Sequence, residues 1–336
     1  MPSPQVSIIV PSRNKAGLIA KTLESIRAQD MANFEAFVID NGSSDGSQKI
    51  IEEFAAKDKR FAFIQNPGDK GLVYSLNLGL SKAGGKYIAV FHCDDIWAPN
   101  FLSSSIALFE KNPSAGICFC RYENIDEEGK THKILARNQL EGEARLVPSA
   151  ELFSLLLSRD FMPVCTVLAS RQAHEKCGGY DPQYPGPCDY QMWLKIAYKL
   201  DGIYNSKTTS KYRIYGENDS NIMIDQNVIL LEQYSMILKL FSRYIPPSPE
   251  AQRQKNTMLR NTSLSALRQA INSIAQGKGS ISRSKCGIAV MVYPGIIEHI
   301  LAFAIYFTSL FTFILSPIFK LLIPAILPIL KKLKLY

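Results

Sequence analysis

The chain lacks the marks of several special protein classes. Its 336 residues hold seven cysteines, an odd and scattered set with no CxxC pair; Cys118 and Cys120 make only a CxC. Such spacing excludes a disulfide framework, argues against a structural zinc site and leads us to expect a reducing compartment. Glycine (20) and proline (18) stand near average, so the chain is neither collagen-like nor wholly disordered. No internal repeat occurs. No GxGxxG follows a strand, and no GxxxxGKS/T is present, so neither a dinucleotide fingerprint nor a P-loop is expected. MPSPQ runs directly into VSIIV without a basic stretch and an apolar core, so no N-terminal leader is expected.

Acid is nearly missing from the C-terminal quarter. From Ala251 to Tyr336 eleven Lys or Arg face one acid, Glu298, whereas the first 250 residues hold 27 basic and 29 acidic residues. A uniformly basic nucleic-acid binder would not divide its charge this way, so no nucleic-acid partner is expected. A basic segment beside an apolar one points instead to an anionic membrane surface. Ile300–Phe319 is twenty residues without a charge, enough to cross a bilayer at about 1.5 Å per residue. Leu321–Leu330 is too short to cross and contains Pro324 and Pro328, and Lys331, Lys332 and Lys334 form the kind of basic end that stays cytoplasmic. We therefore expect attachment to the cytoplasmic face of the cell membrane, with spanning and interfacial burial both open.

Val6–Val10, Phe34–Ile39, Phe61–Gln65 and Tyr87–Phe91 are short apolar runs that read as strands. Ala16–Gln29, Ser47–Lys57 and Tyr74–Lys82 carry helical spacing. Strict alternation of the two predicts a parallel sheet with helices on both faces, and ligands in such sheets bind beyond the carboxyl ends of the strands. Three of those ends are polar: Ser12 to Asn14, Asp40-Asn41 and Asp94-Asp95. Further along, Ile117–Arg121 reads as a strand, and Ala150–Ser158, Asp189–Tyr198 and Asp225–Tyr244 as helices. Pro246 to Pro249 reads as a linker and Gly277 to Ser284 as a flexible stretch.

Asp94-Asp95 after Ile-Ala-Val-Phe is the sharpest chemical feature. Adjacent carboxylates at the end of an apolar strand lose solvation and repel each other unless they share a cation. Oxygen ligands, with His92 nearby, suit Mg²⁺ or Mn²⁺, which in turn binds a diphosphate. A helix N-cap is the alternative for this pair, as it is for Asp189 in Cys188-Asp189-Tyr190-Gln191-Met192-Trp193. Asp40 reads either as a loop cap or as an acceptor from a ribose or base.

Five pieces in order settle these alternatives: VSIIVPSRN (Val6–Asn14), FVIDNGSSDGS (Phe37–Ser47), KGLVYSLNLGL (Lys70–Leu80), AGGKYIAVFHCDD (Ala83–Asp95) and CGGYD with CDYQMWLK (Cys177–Lys195). Together they resemble family 2 glycosyltransferases over roughly the first 220 residues. The resemblance implies an α/β fold of GT-A type, a Rossmann-like, mostly parallel sheet flanked by helices, here with a C-terminal helical, membrane-associated extension. It implies inverting transfer of a sugar, of hexosyltransferase type, from a nucleotide-diphosphate donor, a UDP-sugar by family likeness. The acceptor would be a hydroxyl of a glycan or lipid-linked molecule in cell-surface polysaccharide synthesis.

By the same likeness, Pro11, Ser12 and Asn14 lie by the nucleotide and Asp40 accepts from the base. Lys70 to Asn77 shape the donor pocket, Asp94 sits by the ribose, Asp95 holds a divalent Mn²⁺ or Mg²⁺, and Asp189 is the general base. Departures from the family pattern fall at His92, Cys188, Leu76 and Tyr215. The last three favour a rival reading, a catalytically impaired sugar-nucleotide-binding or scaffold subunit of a membrane glycan-assembly complex. The expected organisation is a catalytic domain over 1–220, divided near residue 100 into nucleotide and acceptor halves. A basic helical extension over 221–285 and an apolar tail over 286–336 follow.

Overall fold

The computed structural model describes residues 3–131, 140, 142–215, 226–293 and 295–310. The chain divides into two compact units, one holding residues up to 156 and 160–216, the other holding 157–159 and 217–336.

The first unit begins with β1 (Val6–Ser12), α1 (Ile19–Arg27), β2 (Phe34–Asp40), α2 (Ser47–Lys57), β3 (Phe61–Gln65), α3 (Leu72–Lys82) and β4 (Tyr87–Val90). β1 is buried at every position, as its β-branched run requires of a central strand. α1 buries Ile19, Thr22, Leu23 and Ile26, one face of a 3.6-residue period. It starts three residues later than the spacing predicts. The amides of Lys15 and Ala16 are taken by the Ser47 hydroxyl and the Asp45 carboxylate, which holds Lys15 to Gly17 in a loop. The chain continues through β5 (Ile96–Trp97), α4 (Phe101–Lys111), β6 (Ile117–Ile125), β7 (Arg145–Val147), α5 (Ser149–Ser158), a 3₁₀ turn, β8 (Val167–Ser170), α6 (Arg171–Cys177), α7 (Cys188–Lys199) and β9 (Gly202–Arg213).

These strands form one sheet in the order β3-β2-β1-β4-β8-β6-β9-β5, with β7 on β9. β3, β2, β1 and β4 run parallel, and so do β6 and β9. The antiparallel pairings belong to β8 and to the short strands β5 and β7. Most registered residue pairs are therefore parallel, and helices flank the sheet. The register sets Ser12 beside Asp40 and Asp40 beside Gln65, so the polar ends of neighbouring strands finish level on one edge. β9 was not legible as a strand. Its register against β6 jumps from Cys120–Asn205 to Arg121–Thr209, a bulge that lets its last residues pair with β5 directly after Asp95.

The second unit contains α8 (Val228–Arg243), α9 (Pro249–Ala275), α10 (Gly279–Val292) and α11 (Ile296–Ser309). Leu230, Leu264, Leu267, Ala270, Cys286, Ala289 and Ala302 lie in its core. The expected linker at 246–249 ends inside a helix start: Ser248 caps α9 by accepting from the Ala251 amide, and Pro249 takes the first turn. The stretch read as flexible, Gly277 to Ser284, is corrected: Gly279 opens α10, because Ser282, Lys285 and Cys286 are buried on one helical face. Ile300 and Phe303 of α11 are exposed at 64% and 72%, with Tyr306 and Leu310 following on the same face. Among the described residues no helix is long and apolar enough to cross a membrane. Residues 311–319 of the run expected to cross, the segment 321–330 and the terminal lysines lie outside the described residues.

Candidate active site

The site is built at the carboxyl edge of the sheet, around the turn that follows β4. Phe91, Trp97 and Phe101 stack beneath this turn with ring centroids 3.9 and 4.4 Å apart. The Trp97 indole donates to the Cys165 carbonyl at 2.7 Å, which ties the stack to the 3₁₀ turn before β8. On that base Asp95 is buried at 1% exposure. Its carbonyl accepts from Thr22 Oγ1 at 2.8 Å and its Oδ1 accepts from the Arg213 amide at 2.9 Å. Among the described residues its buried Oδ2 has no hydrogen-bond partner. Burial first, and the neighbouring Asp94 charge second, push the Asp95 carboxyl well above the usual carboxylate range.

His92, Asp94 and Asp95 each offer a ligand atom, and the three atoms lie within 4.8 Å of one another. Two carboxylates and an imidazole are a donor set for Mn²⁺ or Mg²⁺, and an orphaned oxygen on a buried acid is what a cation satisfies. The residues present therefore fit a divalent ion.

Arg213 completes the corner. It is buried at 1% exposure at the end of β9, and its guanidinium donates to the carbonyls of Asp94 (2.7 Å), Asp126 (2.5 Å) and Glu127 (2.6 Å). Two residues on, the Tyr215 hydroxyl donates to Asp94 Oδ2 at 3.0 Å and accepts from the Lys15 ammonium at 2.5 Å.

The loops after β1 and β2 interlock beside this corner. Asn14, at φ +50°, accepts from the Ser44 amide with Oδ1 and donates its own amide to Ser43 Oγ. Asp40, fully buried, accepts from the Ser43 amide and hydroxyl and from Gln48 Nε2. Pro11 and Ser12 are buried within β1, and among the described residues the Ser12 hydroxyl has no hydrogen-bond partner. Asn41 accepts from the Lys70 amide and donates to Asp69, which pairs with Arg13 at 2.5 Å. Lys70 is exposed. Asn77 spends both amide atoms on the Tyr180 backbone, so it fastens the Gly178-Gly179 loop to α3.

Asp189 opens α7, half-buried, with Oδ1 accepting from the Tyr190 amide at 2.7 Å. Burial raises its carboxyl, while that hydrogen bond and the His92 ring hold it down. Burial also raises the Tyr212 phenol, and Asp95, Cys165, Asp94 and Asp189 all add to the effect. The His92 charge thus acts on Asp189, and both the acidic corner and Asp189 act on Tyr212. Asp160 is a neighbour of Asp189: desolvation and then the Asp189 charge raise its carboxyl. The Tyr190 hydroxyl on the Leu156 carbonyl and the Trp193 indole on that of Met162 lock its loop against α7.

The structure brings His92, Asp94 and Asp95 together; sequence reasoning did not single out Lys15, Asp160, Tyr212 or Arg213. Of these, Arg213 and Tyr212 had a signal, since they flank Tyr215 in the Tyr212-Arg213-Ile214-Tyr215 run.

A parallel sheet that gathers an acidic pair, an imidazole and a separate carboxylate beyond its strand ends defines a fold like that of the GT-A nucleotide-sugar enzymes. The model of the family "Glycosyl transferase family 2" matches residues 7–178, and the chain belongs to that family. An uncharacterized glycosyltransferase of Rickettsia prowazekii is 29% identical over 234 residues, 69% of this chain and 70% of that protein. The Escherichia coli protein WfgD, a UDP-Glc:alpha-D-GlcNAc-diphosphoundecaprenol beta-1,3-glucosyltransferase, is 29% identical over 211 residues, 62% of this chain and 77% of its own. The crystal structure of S. aureus TarS 1-349 in complex with UDP-GlcNAc superposes with a TM-score of 0.65 at 15% identity, over 91% of this chain and 90% of that one. That likeness is one of fold.

Proposed function

We propose that this glycosyltransferase moves a hexose, with inversion, from a UDP-sugar to a hydroxyl of a glycan or lipid-linked acceptor in cell-surface polysaccharide synthesis. What supports the reading is the His92–Asp94–Asp95 cluster at the carboxyl edge of the sheet, with Asp189 near enough to His92 for their charges to interact. The E. coli relative, which by its name uses UDP-Glc and an acceptor on diphosphoundecaprenol, supports the choice of donor and acceptor class.

In this reading Asp95 and Asp94, with His92, hold a divalent Mn²⁺ or Mg²⁺, which when bound offsets negative charge on the donor diphosphate. Pro11, Ser12, Asn14, Asp40, Lys70 and Asn77 form the nucleotide side of the site. Asp40 shares its carboxylate between Ser43, Gln48 and the base; Asn77 contributes by holding the 178–180 loop. Asp189 accepts the proton of the acceptor hydroxyl. Its raised carboxyl suits that task, because a base works best when its pKa approaches the working pH. Attack from the face opposite the departing diphosphate inverts the anomeric carbon. The C-terminal segment attaches the enzyme to the cytoplasmic face of the membrane; the basic excess after Ala251 and the exposed apolar face of α11 support that placement.

Transfer from a panel of nucleotide sugars, followed by NMR of the product anomer, tests the reading. Asp189→Asn should lower turnover about 10²–10⁴-fold while nucleotide binding is kept. Wild-type turnover in that variant, or a retained anomeric configuration, would overturn it.

A further inference from the structure

Lys15 stands in the loop between β1 and α1, half-buried, and no ion pair among the described residues includes it. Its ammonium nevertheless has a fixed position. It donates to the Tyr215 hydroxyl at 2.5 Å and lies 4.9 Å from that ring's centroid, so the phenol holds it by both oxygen and π-face. The loop beneath is held as well, since the Lys15 amide donates to Ser47 Oγ at 2.9 Å. The same phenol donates to Asp94 Oδ2 at 3.0 Å. The ammonium's charge also reaches the Cys93 thiol, next to Asp94 in the turn after β4. One hydroxyl thus bridges an ammonium with no direct ion pair among the described residues and a carboxylate of the His92–Asp94–Asp95 cluster.

We infer that Lys15 is a diphosphate-binding residue of this enzyme and that Tyr215 positions it. The inference rests on the proposal that the cleft takes a nucleotide diphosphate. A diphosphate presents more negative charge than one divalent ion neutralises, and an ammonium on a flexible stem is a point charge suited to a phosphate oxygen. Tyr215 limits the freedom of that stem before the ligand arrives, so less entropy is lost on binding. When the diphosphate binds, the ammonium turns from the phenol to a phosphate oxygen, and the phenol keeps its bond to Asp94. No bond is made or broken beyond these hydrogen bonds.

Calorimetric titration of the full-length chain with UDP, GDP and uridine, each in Mn²⁺ and in EDTA, tests this. Lys15→Met should weaken UDP (or GDP, whichever the wild type binds) by about tenfold or more, the size expected for a hydrogen bond to a charged group, in both buffers. It should leave uridine binding unchanged, and Lys15→Arg should restore most of the loss. Tyr215→Phe should cost several-fold on the diphosphate in the wild-type background and nothing further in Lys15→Met, because the two act as one unit. Lys15→Met with undiminished nucleoside diphosphate affinity, or with an equal loss on uridine, overturns the inference. A wild-type chain that binds neither UDP nor GDP instead overturns the nucleotide reading beneath it.

Discussion

Arg213 is the residue whose removal speaks most directly to how the site is held. Its guanidinium serves three backbone carbonyls at once, those of Asp94, Asp126 and Glu127, from a fully buried position. Arg213→Met keeps the aliphatic stem and the Arg213 amide that donates to Asp95 Oδ1, so the change isolates the guanidinium. Each carbonyl left without a donor costs about 1–3 kcal/mol, and water can reach part of the vacated space, so we expect a loss of about 3–5 kcal/mol. In a folding unit of this size that is roughly 6–20 °C in Tm. A second effect goes with the first. The Arg213 charge opposes the upward push on the Asp95 carboxyl, and without it Asp95 holds its proton more firmly and binds a divalent ion less well. Thermal unfolding with and without Mn²⁺ reads both effects. Arg213→Lys should fail to rescue, since one ammonium cannot span three carbonyls. A Tm within about 2 °C of wild type, with Mn²⁺ stabilisation unchanged, would refute the reasoning.

Other perturbations follow from the same structure. His174 is buried in α6, and burial, helped by Lys195 and Arg171, lowers its pKa from 6.5 to about 4. The unfolded chain then binds the extra proton first, so this contribution to stability is full above pH 6.5 and falls as pH drops towards 4. His174→Leu should remove about 2 kcal/mol of the stability difference between pH 7 and pH 5 in urea titrations, and an unchanged pH slope would contradict that. Gly42 follows β2 at φ +77°, and a Cβ there would stand 2.7 Å from the Gly68 carbonyl carbon. Gly42→Ala should cost about 2 kcal/mol and weaken UDP binding by shifting Asp69, which ties Arg13 to Asn41; a stable variant with full affinity would count against it. Thr22→Val should raise Mn²⁺ concentrations needed for half-maximal stabilisation a few-fold, since Thr22 Oγ1 is bonded to the Asp95 carbonyl; an unshifted midpoint would show the turn to be held without it.

The alternation of strands and helices from Val6 to Asp95 was legible because the central runs β1 and β4 are buried whole and α1 keeps one apolar face. β9 escaped because its inward positions include Asn205 and Ser210, which read as surface. Asn205 is satisfied by Ser104 and Ser105 and Ser210 by the Cys165 carbonyl, partners that only the folded sheet supplies. The site divides along the same line. Asp94-Asp95 stood out because two acids after an apolar strand contradict their surroundings within five residues. Lys15 contradicts nothing locally; its partner Tyr215 lies 200 positions away, and Arg213 meets Asp94 across 119. A polar residue is visible in sequence when its own neighbours make it costly, and invisible when the compensating group arrives through the fold. The acids of the cluster are of the first kind. The groups that hold those acids, and the ammonium set beside them, are of the second, which is why the acids could be picked out from the chain while their scaffolding could not.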